Sequence, residues 1–234
     1  MRILAFETSA KAASVALLDG GKLLGESYQN TGLTHSQTLM KMAEDLIATC
    51  GCTPGDVEAV AVAAGPGSFT GVRIGVAAAK GFAWGAELPC CGVSTLEAMA
   101  LNLGVHSGYV LPVMDARRNQ VYTATFYAEA GNLVRKTADR AISLEELREE
   151  IKNLSESVFL VGDGSILCYN TLKEDVPALV CPPEHRMHQR AAGVGLVASR
   201  MLAAGETCDG ASLAPNYLRL SQAERERMEK QNKP

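Results

Sequence analysis

The sequence predicts an α/β protein of two lobes built on an internal repeat, the second lobe reduced. Two stretches open alike, each on a short apolar strand that ends in an acid: RILAFE at 2–7 and YVLPVMD at 109–115. Each runs on into alternating strands, a helix, and a buried strand that breaks on a glycine turn. The composition agrees: hydrophobic residues make up 47%, aromatics only 5%, and 22 glycines allow backbone to approach backbone. The competing reading is an ordinary single α/β domain with a coincidental meander. The expected division is 1–104 for the first lobe, 105–220 for the second, and 221–234 for a charged tail.

In the first half, 2–7, 13–18 and 22–28 read as a three-strand meander, with Asp19-Gly20-Gly21 as its tight turn. Leu39, Met42, Ala43, Leu46 and Ile47 recur at helical spacing and predict a helix over about 36–50, capped by Thr34 or Ser36. VEAVAVA at 57–63 is apolar nearly throughout, as a strand covered on both faces is. The loop GPGSFTG at 65–71 ends it and leads into a helix rich in small residues. A short strand at 88–93 and a helix from Ser94, with Glu97 placed for a capping box, finish this half.

In the second half, 109–115 and 120–128 read as strands joined by the turn ARRN. Ser143 with Glu146 predicts a capped helix, 157–162 another buried strand followed by the glycine turn GDGS, and 188–204 a long helix that packs back on the first lobe.

The formal charge is −4, so no basic field stands ready to hold nucleic acid unaided. Glu7, Thr8, Ser9 and Lys11 interrupt the first apolar run, which therefore lacks a signal-peptide core, and no stretch is long and apolar enough to span a bilayer. Seven cysteines, an odd number without a CxxC pair, read as reduced thiols of a cytoplasmic protein.

Two constellations bear on chemistry. GPGSFTG lies between strand and helix, where backbone N–H groups can receive an anion. It is neither a P-loop nor a dinucleotide fingerprint, and its glycines serve equally to let the helix pack closely on the sheet. Glu7 and Asp115 end the first strands of the two halves, so they either hold Mg2+ through water, with Thr8 and Ser9 adding hydroxyls, or simply accept backbone hydrogen bonds. The four histidines, at 35, 106, 185 and 188, form neither HExxH nor HxxxH, and no GxSxG serine is present. No catalytic set declares itself. The helix over 36–50 carries Leu39, Met40, Met42 and Leu46, more apolar surface than one stripe requires, which suits either a partner or the core.

At GPGSFTGVRIG (65–75) the chain resembles a known family, and further motifs follow in order: RILAFETSAKAASVALLDG, THSQTLM at 34–40, STLEAMA at 94–100, LPVMDARRNQVY at 111–122 and APNYLRL at 214–220. It is similar to the TsaB (YeaZ) family of tRNA threonylcarbamoyladenosine biosynthesis proteins. The resemblance implies the actin-like, Hsp70-like ATPase fold and a non-catalytic scaffold related to TsaD, the transferase. The implied partners are TsaD in a heterodimer, the ATPase TsaE, a second copy when alone, and tRNA only through the assembled complex.

Onto this sequence the resemblance maps a partner surface at Leu39, Met42, Leu46, Val72 and Val76. It also maps a vestigial nucleotide cleft at Glu7, Thr8, Gly65, Gly67 and Asp115. No cofactor is required on this reading, and the cleft would take at most a weak ATP or ADP with Mg2+. Relatives carry Asp-Thr where this chain has Glu7-Thr8, and the longer acid would crowd such a site. The glycoprotease label attached to the wider superfamily fits poorly, since the metal-binding histidine pair is missing. The alternative is a stand-alone actin-like ATP-dependent enzyme or a hydrolase.

Overall fold

The computed structural model describes residues 1–103 and 107–219. The expected boundary at 104/105, His106 and the charged tail fall outside them. Among the described residues the strands form two sheets. The first has five strands in the order β3-β2-β1-β4-β5: β1 Arg2–Glu7, β2 Ala13–Asp19, β3 Lys22–Gln29, β4 Ala59–Gly65 and β5 Cys90–Ser94. β1, β2 and β3 are antiparallel, whereas β1, β4 and β5 run parallel.

Both faces of this sheet are covered, which is why its central strands are apolar without interruption. The period of two sends Leu4 and Phe6 of β1 toward α1 (His35–Thr49) and α2 (Phe69–Trp84), together with Val15, Leu17, Val60 and Val62. Ile3 and Ala5 point the other way and meet Val194, Val197 and Ala198 of α7, Ala191–Ala203. α7 comes close enough that a Cβ on Gly195 would lie 2.1 Å from Leu18 Cδ1.

The second sheet runs β10-β7-β6-β11-β12, and β8 and β9 extend it beside β6. Its strands are β6 Gly108–Arg117, β7 Gln120–Thr123, β8 Phe126–Glu129, β9 Asn132–Arg135, β10 Arg140–Ser143, β11 Val158–Val161 and β12 Leu179–Val180. α3 (Thr95–Leu101) packs its Leu96 and Met99 with Val110, Met114, Phe126 and Val161 of the second sheet, while its Ala98 joins the cluster of the first sheet, so this helix bridges the two. α4 (Leu144–Ile151) and α5 (Ser165–Leu172) cover the other side around Leu111, Leu147 and Leu160. α6, Glu184–Met187, is a single turn.

The capping boxes read from the sequence differ in outcome. Ser143 and Glu146 bond reciprocally at the start of α4, and Ser94 accepts from the Glu97 N–H at the start of α3. Thr34 precedes α1 without a side-chain cap bond.

The repeat is visible in the backbone. Both glycine turns, GPGS and GDGS, join the end of a parallel strand to a helix. Both start on a glycine of positive φ, +124° at Gly65 and +113° at Gly162. Only glycine adopts such angles readily.

Two elements differ from expectation. The strand read over 120–128 is two strands, because β7 and β8 pair with successive parts of β6 and separate at Ala124-Thr125. The long helix starts at Ala191 rather than His188, since His188 and Arg190 are extended.

Candidate functional site: an interlobe cleft and an outer helical face

A cleft of about 570 Å³ separates the lobes. Ser9, Ala10 and Lys11 after β1 and Pro66 to Thr70, the turn and the start of α2, form one wall, and Met114 to Arg117, Tyr122 and Asp163 form the other. Residues 216–219 lie across it.

Of the five residues mapped to a nucleotide cleft, Gly67 and Asp115 line it, whereas Glu7, Thr8 and Gly65 lie outside the lining. Glu7 is fully buried; its Oε1 accepts the Ser9 N–H at 2.6 Å and its Oε2 has no partner among the described residues. Burial, with a smaller contribution from Asp163, pushes its carboxyl up to about 7. Thr8 donates its hydroxyl to the Gly71 carbonyl at 2.7 Å, which ties β1 to the first turn of α2.

The glycines around this loop answer to backbone proximity. A Cβ on Gly67 would lie 2.5 Å from the Ser9 carbonyl, and the Ser68 N–H already donates to that oxygen at 2.6 Å. On Gly65 a Cβ would meet the Asn216 carbonyl at 2.4 Å. Ser68 caps α2 by accepting from the Gly71 N–H.

On the second lobe Asp115 accepts the Arg117 N–H at 2.7 Å, a strand-end turn. Asp163 was not singled out in the sequence. It accepts from Gln189 Nε2 at 2.9 Å, and burial raises its pKa. Its position in the GDGS turn, twin of GPGS, was the available signal. Among the described residues no three His, Cys, Asp or Glu side chains stand together as metal ligands. All seven thiols are free, and burial pushes Cys90 and Cys91 up to about 11, away from the reactive thiolate.

The partner residues require a correction. Leu39, Met42, Leu46, Val72 and Val76 are all buried in the core between α1, α2 and the first sheet. The stripe that predicts α1 is the one that faces the sheet, and Val72 and Val76 are its counterpart on α2. The outer faces carry other residues. On α2 they are Thr70, Arg73, Ala77, Gly81 and Trp84, one stripe at helical spacing with the half-buried Ile74 beside it, and Trp84 is 72% exposed. On α1 Met40 is 47% exposed and Leu33, just before the helix, 58%. Lys41 pairs with Glu44 and Asp45 beside them. A shallow groove joins Leu33, His35, Thr70 and Ile74.

Comparisons place this geometry. The family model described as "TsaD: tRNA N6-adenosine threonylcarbamoyltransferase" matches residues 29–227. The tRNA threonylcarbamoyladenosine biosynthesis protein TsaB of Bacillus subtilis is 33% identical over 99% of this chain and 100% of its own. A Pseudomonas aeruginosa protein described by its similarity to peptidase YeaZ superposes with a TM-score of 0.76, at 26% identity over 93% of this chain and 99% of that one. The Acidaminococcus fermentans (R)-2-hydroxyglutaryl-CoA dehydratase component A shares the fold alone, with a TM-score of 0.52 at 11% identity over 87% and 99%. Two lobes of this architecture are the actin-like arrangement, and end-to-end likeness selects one branch of it. The chain belongs to the TsaB (YeaZ) family, paralogous to TsaD.

Proposed function

We propose that this chain is the scaffold and activator that pairs with TsaD through the outer faces of α1 and α2. With TsaE it supports transfer of the threonylcarbamoyl group to the adenosine beside the anticodon of tRNAs that read ANN codons. The role is non-catalytic, as the family identity carries. The observation that supports the pairing surface is the exposed stripe that runs from Thr70 to Trp84 beside Met40 and Leu33. Small residues at Ala77 and Gly81 let a partner helix approach closely, while Trp84 and Met40 supply anchors. The same face serves a second copy when the chain is alone.

The donor set fits a metal-bound nucleotide poorly, which supports a role without a cofactor. Glu7 is buried with its carboxyl pushed up to about 7, the Thr8 hydroxyl is committed to Gly71, and the Ser9 carbonyl fills the space beside Gly67. Contact with tRNA belongs to the assembled complex, since the net charge is −4. Reduced thiols support a cytoplasmic location, and among the described residues no helix is long and apolar enough to cross a membrane.

The test is threonylcarbamoyladenosine formation on a cognate tRNA with TsaD, TsaE, ATP and the threonylcarbamoyl-adenylate source. Product is expected only when this chain is present. Equal product without it overturns the activator role and returns attention to a small-molecule reaction in the cleft.

A further inference from the structure

The segment after α7 does more than cover the first lobe. It is pinned at successive points along that lobe. Cys208 exchanges both backbone hydrogen bonds with Cys90 of β5, and Lys80 of α2 donates to the carbonyls of Ala211 and Leu213 at 3.0 Å each. Leu213 is buried in the α1–α2 core. The Asn216 N–H donates to the Ala64 carbonyl at 2.6 Å, directly at the glycine turn of β4. Tyr217 then stacks on Phe69 with ring centroids 4.5 Å apart and accepts from Arg73 Nε at 2.8 Å. Two residues later the chain changes lobes: Arg219 donates to the Ala116 carbonyl of β6 at 2.6 Å.

We infer that residues 216–219, anchored through the buried Leu213, are an internal occupant of the interlobe cleft, a strap that holds the two lobes at a set opening in the way a bound ligand does elsewhere in two-lobed folds. The strap lies where the first-lobe glycine turn and the end of β6 face one another. Its backbone also stands where any side chain at Gly65 would go. Its attachment is lopsided, with every contact up to Tyr217 made to the first lobe and the Arg219 bond made to the second. Arg219 is thus the positioning residue of the clamp, and cutting its side chain should release the second lobe while leaving the strap seated on the first. The inference is independent of which partner meets α1 and α2.

The test is amide hydrogen exchange on the full chain, with Arg219→Ala and Arg219→Lys compared with the natural protein. Arg219→Ala is expected to speed exchange about tenfold at the cleft walls, in Ser9–Lys11 and around Ala116. Amides of β1 and β4 keep their protection, and Arg219→Lys, which restores a donor, recovers most of the effect. Acceleration confined to 216–219, or none at all, overturns the clamp. If the alanine chain does not fold, Arg219→Gln carries the same comparison with the same two outcomes.

Discussion

Glu26, in the edge strand β3, caps a helix that begins at Ala191. Its carboxylate accepts the Ala192 N–H at 3.1 Å and two bonds from Arg190, at 2.6 and 3.0 Å, while Ser14 donates to it and accepts the Ala191 N–H. A negative charge at a helix N-terminus is favourable, and this one is nearly inaccessible to water. Glu26→Ala strands Arg190 and the Ala192 N–H. The expected loss is about 2–3 kcal/mol, because Arg190 keeps some solvent. Urea unfolding should show it as a lower midpoint at unchanged slope.

Glu7 makes stability depend on pH in an unusual direction for a carboxyl. Its folded value, about 7, lies above the ordinary 4.5, so between those values the folded chain holds the extra proton. The contribution is fully present below pH 4.5 and is lost as pH rises through about 7. A shift of that size corresponds to about 3 kcal/mol. Glu7→Gln, which cannot ionise, should be the more stable chain at pH 8 and should flatten the curve between pH 5 and 8, as thermal melts across that range would reveal.

Core and partner faces of one helix pair are separable by mutation. Trp84→Glu should leave stability within about 0.5 kcal/mol while weakening pairing with TsaD at least tenfold. Leu39→Asp buries a charge against the first sheet and should cost on the order of 4 kcal/mol, so any pairing it loses follows from unfolding. Titration calorimetry beside thermal melts distinguishes the two.

Gly71 and Gly81 lie on the same helix and should answer oppositely to alanine. A Cβ at Gly71 would sit 2.1 Å from the Thr8 carbonyl, whereas nothing lies within 4 Å at Gly81. Gly71→Ala should lose about 3 kcal/mol through overpacking, and Gly81→Ala should gain about 0.5–1 kcal/mol of helix propensity. Denaturant midpoints give both signs.

Much of the architecture was legible because its signals are local. The apolar run of β1, the helical spacing of α1 and the box at Ser143 each sit inside one element. What was not legible depends on distant contacts. α7 starts at Ala191 because Ser14 and Glu26 cap it, which no window around His188 contains. α5 exposes Ile166 and Leu167 while burying Cys168 and Leu172, so its apolar residues trace no clean stripe. The candidate site divided the same way. Acids and glycine turns were visible at strand ends, but the same loops show nothing of the Asn216 carbonyl that stands against Gly65, since that contact joins residues far apart in the chain. Leu39 and Val72, read as partner residues, lie in the core because apolar periodicity marks the face toward the sheet, and the proposed partner face of Ala77, Gly81 and Trp84 has little apolar periodicity.

The position of α7 also carries a consequence for synthesis. The first sheet is assembled from residues 2–94, yet the layer that covers Ile3, Ala5, Ala16 and Leu18 is the last helix described, Ala191–Ala203. As the chain leaves the ribosome, that sheet waits with much of one greasy face bare until α7 has emerged. The two lobes therefore cannot mature one after the other, and a nascent chain stalled before residue 191 would be a natural client for a chaperone that recognises exposed aliphatic surface.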